Sequence, residues 1–408
     1  MAELYQKEKL VYGVQRHWLH VRDQSGTAGG PQTTRKVKIE GRVILDTQAN
    51  QELEFQSPNF DNAAQKDSRG RLYVSLFDSR KEYQWDSIPV IAKLTEEQAS
   101  LCPPIVGCYA VLTKKFCVAI VDELKEVEWN MDAMKHLVLD EEKKRMLQGL
   151  VGQHYGRKQS SGGDLIAGKG EGLVILLHGP PGVGKTLTAE SLAETVKRPL
   201  LALSIGDLVW DETKLQQRLE AEFRRAMNWD AILLLDEADV VLEARSLEDV
   251  RRNGIVSVFL RQLEYFQGVL FLTTNRISTM DLAFQSRIQV GITFKDLTPE
   301  IRKEIWTKLL DLNYRNESID SRALKEVKDG LGRLAQIELN GRQIRNVLNV
   351  ANGYAFNDFG RPGGMDYKHI MRAVKAAVEF QEFFDEERSN AKAEQSVWAP
   401  YRGSESGF

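Results

Sequence analysis

Short apolar segments alternate with amphipathic helical segments from Leu173 onward. Continuous apolar runs begin near positions 173, 199, 231, 268 and 288, and stretches with a helical period separate them. Apolar strands of this kind are typical of a parallel sheet that helices cover on both faces. After Thr298 the pattern is helical only, and Pro299 follows Thr298 as expected at the start of a helix. We therefore predict a three-layer α/β domain over 173–297 and a helical lid over 298–387.

Residues 1–125 carry a different pattern, in which apolar and polar positions alternate with a period of two. Such alternation at 35–47 and 71–79 predicts half-buried strands. Two further apolar runs flank Lys114 and Lys115, where a tight turn fits. This part is therefore predicted to be a small β-rich region. Residues 126–172 are predicted to form a helix and a linker that lead into the α/β domain, and 388–408 a disordered tail.

The composition is that of a globular protein inside the cell. The chain has 408 residues, 42% of them apolar, which suits two or three domains. Its net charge of −3 argues weakly against a nucleic-acid partner. Cys102, Cys108 and Cys117 are too few for a disulfide framework and are interpreted as reduced thiols in a core. No apolar run is long enough for a membrane helix, and the first twenty residues lack the apolar core of a secretory signal. The compartment stays open among cytoplasm, nucleus and mitochondrion.

The strongest motif is GPPGVGKT, which follows the apolar run at 173 and precedes a helical segment. Glycines allow successive backbone N–H groups to curl around phosphate oxygens, and a helix points its positive end at the same anion. Lys185 is expected to reach the β- and γ-phosphates, and the Thr186 hydroxyl to bind Mg²⁺. The predicted nucleotide-binding residues are Gly179, Pro180, Pro181, Gly182, Val183, Gly184, Lys185, Thr186 and Leu187.

The second motif is AILLLDEAD at 231–239, where an apolar run ends in two adjacent carboxylates. A buried strand brings them to the carboxyl edge of the sheet, where ligands of such sheets bind. Asp236 is predicted to hold Mg²⁺, and Glu237 to orient the attacking water or accept its proton. Acidic residues after strands are common, so this pair alone is weak evidence for a metal site. Its position downstream of the glycine-rich loop makes the evidence strong.

Three further positions are candidates with open alternatives. Asn275 ends the next apolar run and could orient water or contact the γ-phosphate, although a turn-capping role is the commoner one. Arg287 precedes the fifth run and could equally be a solvated surface residue. Arg342 and Arg345 are three positions apart and share a helix face. One of these two is expected to reach a phosphate and the other to cover the helix surface.

Taken in order, GPPGVGKT, LLLDEAD, TTN, SRI and GRQIRN resemble AAA ATPases of the AAA+ superfamily. In that family they correspond to Walker A, Walker B, sensor 1, the arginine finger and sensor 2. The resemblance covers 173–387, slightly over half of the chain. Within the family, this sequence is most similar to a group of fungal AAA proteins of largely undefined function. The resemblance implies a P-loop fold, ATP hydrolysis with Mg²⁺, and a homo-oligomeric ring such as a hexamer that remodels protein partners. The residues that it assigns to catalysis are Lys185, Glu237, Asn275, Arg287 and Arg342.

Two departures from the family pattern matter for function. Many AAA proteins carry two arginines where this chain has only Arg287. Unfoldase members grip polypeptide with an aromatic–hydrophobic–glycine loop, whereas 206–213 reads GDLVWDET and lacks the glycine after Trp210. A packing role for Trp210 is therefore favoured over a pore role. The alternatives to a remodelling ATPase are a nucleotide-controlled scaffold or switch and, with less support, a DNA clamp loader or helicase.

Overall fold

The computed structural model describes residues 11–22, 34–46, 105–157, 171–204, 212–243, 250–315, 318–319, 321–359 and 364–398. The chain divides into two units. The first takes in Met1–Trp129, Pro199–Leu201 and Asn228–Ala231, and the second takes in Asn130–Arg198, Ala202–Met227 and Ile232–Phe408.

The first unit contains an antiparallel sheet that closes on itself. Strand β1 pairs with β2, β4 and β5, while β2 also pairs with β3, and β3 with β4. A closed sheet leaves few unpaired edges, which protects it from pairing with other chains. The predicted run at 71–79 lies outside the described residues. The strands are β1 Val11–Arg22, β2 Thr34–Leu45, β3 Ile105–Ala110, β4 Lys115–Ile120 and β5 Leu124–Glu126, with a short 3₁₀ turn at Val121–Glu123.

Two thiols lie at the centre of this unit. Cys108 on β3 faces Cys117 on β4, their Sγ atoms are 3.3 Å apart, and both are buried free thiols. The hydrogen bond with Cys117, and then burial, raise the pKa of Cys108 above its ordinary value. The expectation of buried thiols is thus confirmed for these two, while Cys102 lies outside the described residues. Nearby, the Trp229 indole N–H donates to Asp46 Oδ2 at 3.0 Å.

The second unit is built on the sheet that the apolar runs predict. The strands are β6 Leu173–His178, β7 Leu200–Ser204, β8 Ile232–Asp236, β9 Val269–Thr274 and β10 Val290–Thr293, in the order β10-β6-β9-β8-β7. The pairings of β10 with β6, β6 with β9, and β9 with β8 are parallel. Strands β6, β8 and β9 are buried along nearly their whole length, as expected for a sheet covered on both faces. The predicted fold class is therefore confirmed.

The helices associated with this sheet connect its strands or precede them. They are α1 Ala133–His136, α2 Glu141–Arg157, α3 Lys185–Thr195, α4 Glu212–Asn228, α5 Asp239–Leu242, α6 Val250–Tyr265 and α7 Leu282–Gln285, with a 3₁₀ turn at Ile277–Thr279. The single helix predicted within 126–172 is divided in the structure into α1 and α2. The physical cause is Asp140, whose Oδ1 accepts the backbone N–H of Glu142 at 2.9 Å and so starts a new helix.

Four helices follow the sheet and share one core. They are α8 Pro299–Arg315, α9 Ser321–Gln336, α10 Gly341–Phe359 and α11 Tyr367–Trp398. The buried side chains of this core include Trp306, Leu310, Val327, Leu334, Ile344 and Leu348. Thr298 starts the first helix as the sequence predicts, since its Oγ1 accepts the N–H of Ile301 at 3.4 Å.

Helix α11 continues beyond the predicted end of the lid at residue 387, through Trp398. The tail expected from residue 388 therefore begins with helix, because Ala, Lys, Glu and Gln in NAKAEQS are good helix formers. Residues 399–408 lie outside the described residues. In the part of the chain that the structure describes, no helix combines the length and the apolar character needed to cross a membrane.

Candidate active site

The glycine-rich loop between β6 and α3 has a backbone that only glycine adopts easily. Gly179, Gly182 and Gly184 have φ of 143°, 76° and 100°. Gly179 also lies so close to the backbone at Phe294 that a Cβ there would be 2.2 Å from its carbonyl oxygen. The loop ends at the first turn of α3, where unpaired N–H groups and the helix dipole favour an anion. The local structure therefore forms a cradle for phosphate.

Lys185 supplies a positive charge at this cradle and is buried at 8% exposure. Its Nζ donates to Gly179 O at 2.7 Å, to Pro180 O at 2.7 Å and to Asn275 Oδ1 at 2.8 Å. Burial lowers the pKa of Lys185 below its ordinary value, while the carboxylates of Asp236 and Asp239 act in the opposite direction. The side chain thus joins the loop to the end of β9.

Thr186 and Asp236 come together from α3 and β8. The Thr186 hydroxyl donates to the two carboxylate oxygens of Asp236 at 3.0 and 3.1 Å. A hydroxyl and a carboxylate are hard oxygen ligands of the kind that Mg²⁺ prefers, usually together with phosphate and water. No group of three or more His, Cys, Asp or Glu side chains suited to a metal is found in the described residues. Thr186 and Asp236 could therefore supply two oxygen ligands to a Mg²⁺ ion.

Glu237 follows Asp236 at the same edge of the sheet, and its side chain is exposed. Its backbone has φ of 53°, which is uncommon for a residue other than glycine and is often found at functional sites. The neighbouring strand holds this conformation, because the N–H of Glu237 donates to Thr273 Oγ1 at 2.9 Å and the N–H of Ala238 to Thr273 O at 2.8 Å. The carboxylate is thus placed beside Asp236 and open to solvent.

Asn275 lies immediately after β9. Its amide oxygen accepts from Lys185, and its backbone N–H donates to Asp239 Oδ1 at 3.1 Å. Asp239 also accepts a hydrogen bond from the Thr274 hydroxyl. The ends of β8 and β9 are therefore tied together, and the Asn275 side chain faces the loop lysine.

The two arginines of α10 have different surroundings. The positive charge of Arg342 contributes to lowering the pKa of Lys185, whereas that of Arg345 acts on Glu190 of α3. The N-terminus of α10 also approaches the loop, since the N–H of Gly341 donates to Gly182 O at 2.9 Å. The charge of Arg342 therefore acts on the loop lysine and that of Arg345 on Glu190, while the contact of either arginine with a phosphate stays a prediction.

Arg287 is held by its own part of the chain. Its Nη1 donates to Ala283 O at 2.9 Å, and its Nη2 lies 3.6 Å from Glu264 Oε2 at the end of α6. Both ion-pair side chains are about 30% exposed. These partners are not among the residues that contact Lys185, so the structure does not bring Arg287 into the cluster of the other candidates. Trp210 lies outside the described residues.

Several residues of the site were not identified from sequence motifs. Thr273 and Asp239 carry no signal of their own, because their roles depend on which strands are neighbours. Asn340 and Gln343 do carry one: they bond each other's backbone N–H at 2.9 and 2.8 Å, a capping box that the sequence displays. Leu137 is buried, and a Cβ at Gly184 would lie 3.9 Å from its Cδ1. Its segment therefore adds an apolar surface beside the loop.

Part of the chain matches a known protein family. Residues 175–296 match the family model described as "ATPase family associated with various cellular activities (AAA)". This part of the chain is therefore similar to AAA ATPase domains, and it has their nucleotide-binding P-loop fold with a parallel sheet.

The curated relatives are longer proteins. Over 222 residues the chain is 27% identical to an ATP-dependent zinc metalloprotease FtsH of Lachnoclostridium phytofermentans, a match that covers 50% of this chain and 36% of the relative. Over 266 residues it is 24% identical to a Lon protease of Flavobacterium johnsoniae, covering 58% and 31%. It is 28% identical over 190 residues to the human ATPase family AAA domain-containing protein 3B, covering 44% and 27%. The chain thus spans about a third of the length of these relatives.

The solved structures that match this chain include the FIGL-1 AAA domain in complex with ADP. The TM-score is 0.48 and the sequence identity 20%, and the match covers 62% of this chain and 86% of that domain.

Proposed function

We propose that this chain binds ATP together with Mg²⁺ at the loop between β6 and α3 and hydrolyses it to ADP and phosphate. The observation that carries the proposal is one connected cluster: Lys185 contacts Asn275, and Thr186 contacts Asp236, at the carboxyl edge of the sheet. Phosphoryl transfer to water depends mainly on positioning and charge, and these residues supply both. The AAA domain over 175–296 supports the same activity.

Binding of the triphosphate is assigned to backbone and cationic groups. The loop N–H groups and the N-terminus of α3 receive phosphate oxygens, and Lys185 and Arg342 supply the positive charge. Thr186 and Asp236 would hold Mg²⁺, which neutralises charge on the phosphates. The apolar surface at Leu137 is a suitable neighbour for the base.

Hydrolysis is assigned to Glu237 and Asn275. A water oxygen attacks the γ-phosphorus, the bond from that phosphorus to the β–γ bridging oxygen breaks, and ADP leaves. Glu237 orients the water and accepts its proton, which its exposed position beside Asp236 allows. Asn275, held by Lys185 and Asp239, orients the same water or the γ-phosphate.

At the level of the whole protein, we propose a homo-oligomeric ring, such as a hexamer, that remodels protein partners. Arg287 lies outside the cluster of its own chain, which is consistent with a role in the site of a neighbouring subunit. The names of the relatives, which include an ATP-dependent zinc metalloprotease and a Lon protease, support protein partners for this proposal. We also propose that the chain is related to the fungal AAA group that its sequence resembles.

The test is phosphate release by the purified chain with Mg²⁺ and ATP, alongside light scattering with and without ATP. Release that disappears in Glu237→Gln, together with ATP-dependent assembly, is the expected result. A wild-type chain that binds ATP tightly and assembles without releasing phosphate would instead identify a nucleotide-controlled switch. A chain that does not bind ATP contradicts the proposal altogether.

A further inference from the structure

Thr273, at the end of β9, contacts both adjacent acidic residues of the site through one hydroxyl group. It is buried at 1% exposure. Its Oγ1 donates to Asp236 Oδ1 and accepts the backbone N–H of Glu237 at 2.9 Å. A threonine hydroxyl offers one donor and two acceptor positions, so a single side chain can serve both neighbours.

The sheet register explains how this contact arises. Strands β8 and β9 are parallel neighbours, and Leu235 pairs with Leu272. The next residues along the two strands, Asp236 and Thr273, therefore lie side by side at the carboxyl edge of the sheet. Valine, which has nearly the same shape, would fill this buried position without either hydrogen bond. Packing alone therefore does not explain why this position carries a hydroxyl group.

Each of the two hydrogen bonds constrains a different part of the site. The first fixes one oxygen of Asp236, which also accepts from Thr186. The second holds the peptide N–H of Glu237, a residue with the uncommon φ of 53°. Without it, only the hydrogen bond from the Ala238 N–H to Thr273 O would still restrain this turn, and the Glu237 backbone could relax toward negative φ and shift the carboxylate.

We infer that Thr273 is a positioning residue for ATP hydrolysis, which aims Asp236 at the Mg²⁺ position and holds Glu237 in the conformation that presents its carboxylate to water. This inference rests on the proposed ATPase function. It extends the site to a residue that does not itself touch the nucleotide.

The test compares Thr273→Val, which removes the hydroxyl, with Thr273→Ser, which keeps it. Groups that orient the ligands of a metal typically change affinity or activity by about 10- to 100-fold when they are removed. We expect Thr273→Val to lower kcat by about that factor and to raise the Mg²⁺ concentration needed for half-maximal tightening of a fluorescent ATP analogue. Thr273→Ser should stay near wild type in both measurements. Binding of the analogue in EDTA should be the same in all three proteins.

A control for the chemical change is Thr307→Val in α8, where the hydroxyl donates to Lys303 O at 2.8 Å within the helix. It should leave kcat and the Mg²⁺ requirement unchanged. If Thr273→Val loses cooperative melting, Thr273→Ala is measured with the same expectations.

Three results would overturn the inference: a Thr273→Val protein with wild-type kcat and Mg²⁺ requirement, a Thr273→Ser protein as impaired as Thr273→Val, or an equal loss of binding in EDTA. Failure of the proposed function looks different, because the wild-type chain itself then releases no phosphate. In that case the Mg²⁺-dependent tightening of analogue binding still decides the role of Thr273.

Discussion

The ammonium nitrogen of Lys185 lies 2.8 Å from the amide oxygen of Asn275, and this contact joins the phosphate loop to the end of a strand ninety residues further along the chain. The lysine is buried, and its other two hydrogen bonds go to carbonyls of its own loop. Binding and hydrolysis are therefore assigned to different residues of one connected cluster, and substitutions should separate them.

Lys185→Ala should abolish ATP binding, because it removes the cation that faces the triphosphate. Glu237→Gln should keep ATP binding and lose turnover, since the amide fills the same space but cannot accept a proton. Calorimetric titration with ATP and an assay of phosphate release measure the two effects. Equal loss of binding in both variants would contradict the assignment of roles.

The pattern of the sequence predicts the sheet and the loop for clear physical reasons. All five apolar runs form strands, and the three central strands β6, β9 and β8 are continuously apolar because helices cover both faces of the sheet there. A phosphate loop demands glycine where φ is positive. The start of α8 at Pro299 follows from local capping chemistry. These features depend only on residues close together in the chain.

Features that depend on the placement of distant segments could not be predicted in the same way. The contacts of Thr273 require β9 to lie next to β8, and no local pattern specifies that β6 lies between β9 and β10. Arg342 and Arg345 occupy the same helix face, so only the docking of α10 on the loop distinguishes them. For Arg287 the structure shows its partners within the chain and leaves its functional role as a proposal.

The difference between the two arginines of α10 can be measured. Arg342→Ala should weaken ATP binding by about tenfold or more, because a hydrogen bond to a charged group contributes about 1.5–3 kcal/mol. Arg345→Ala is the matched control, since its charge acts on Glu190, and it should bind ATP nearly as wild type does. Titration calorimetry of both variants is the measurement. A larger loss in Arg345→Ala than in Arg342→Ala would reverse the assignment.

Arg302 should be important for the stability of the helical lid. It is buried, its Nε donates to Ala335 O at 2.8 Å, and its Nη1 donates to Leu297 O at 2.9 Å. Arg302→Met leaves both carbonyls without this donor, and each buried unsatisfied group costs about 1–3 kcal/mol. We expect the free energy of unfolding to fall by about 2–6 kcal/mol. Lys303→Met, at the exposed neighbouring position, should change the free energy of unfolding little. Denaturant unfolding of both variants is the measurement, and similar losses in the two would refute this role of Arg302.

The last prediction concerns Arg287 and the neighbouring subunit. An arginine supplied from a second chain neutralises charge on the transferred phosphoryl group, an effect of about 10³- to 10⁵-fold in other phosphoryl-transfer systems. Arg287→Ala should therefore bind ATP nearly normally and barely hydrolyse it. Mixed with the inactive Glu237→Gln chain, it should regain activity, approaching about a quarter of wild type if pairing is random and each interface turns over independently.

The contacts of Arg287 within its own chain give the opposing expectation. If the guanidinium serves only to hold Ala283 O and Glu264, Arg287→Ala should lower the melting temperature about as much as Glu264→Gln does, and mixing should restore nothing. Light scattering with ATP must show assembly, and fluorescence transfer between labelled chains must show subunit exchange, before the mixing result is interpreted. If exchange is demonstrated and hydrolysis is still absent at every mixing ratio, the action of Arg287 in the neighbouring site and the ring itself are both contradicted. The reason is that a mixed ring always contains some interfaces that pair an intact Glu237 with an intact Arg287.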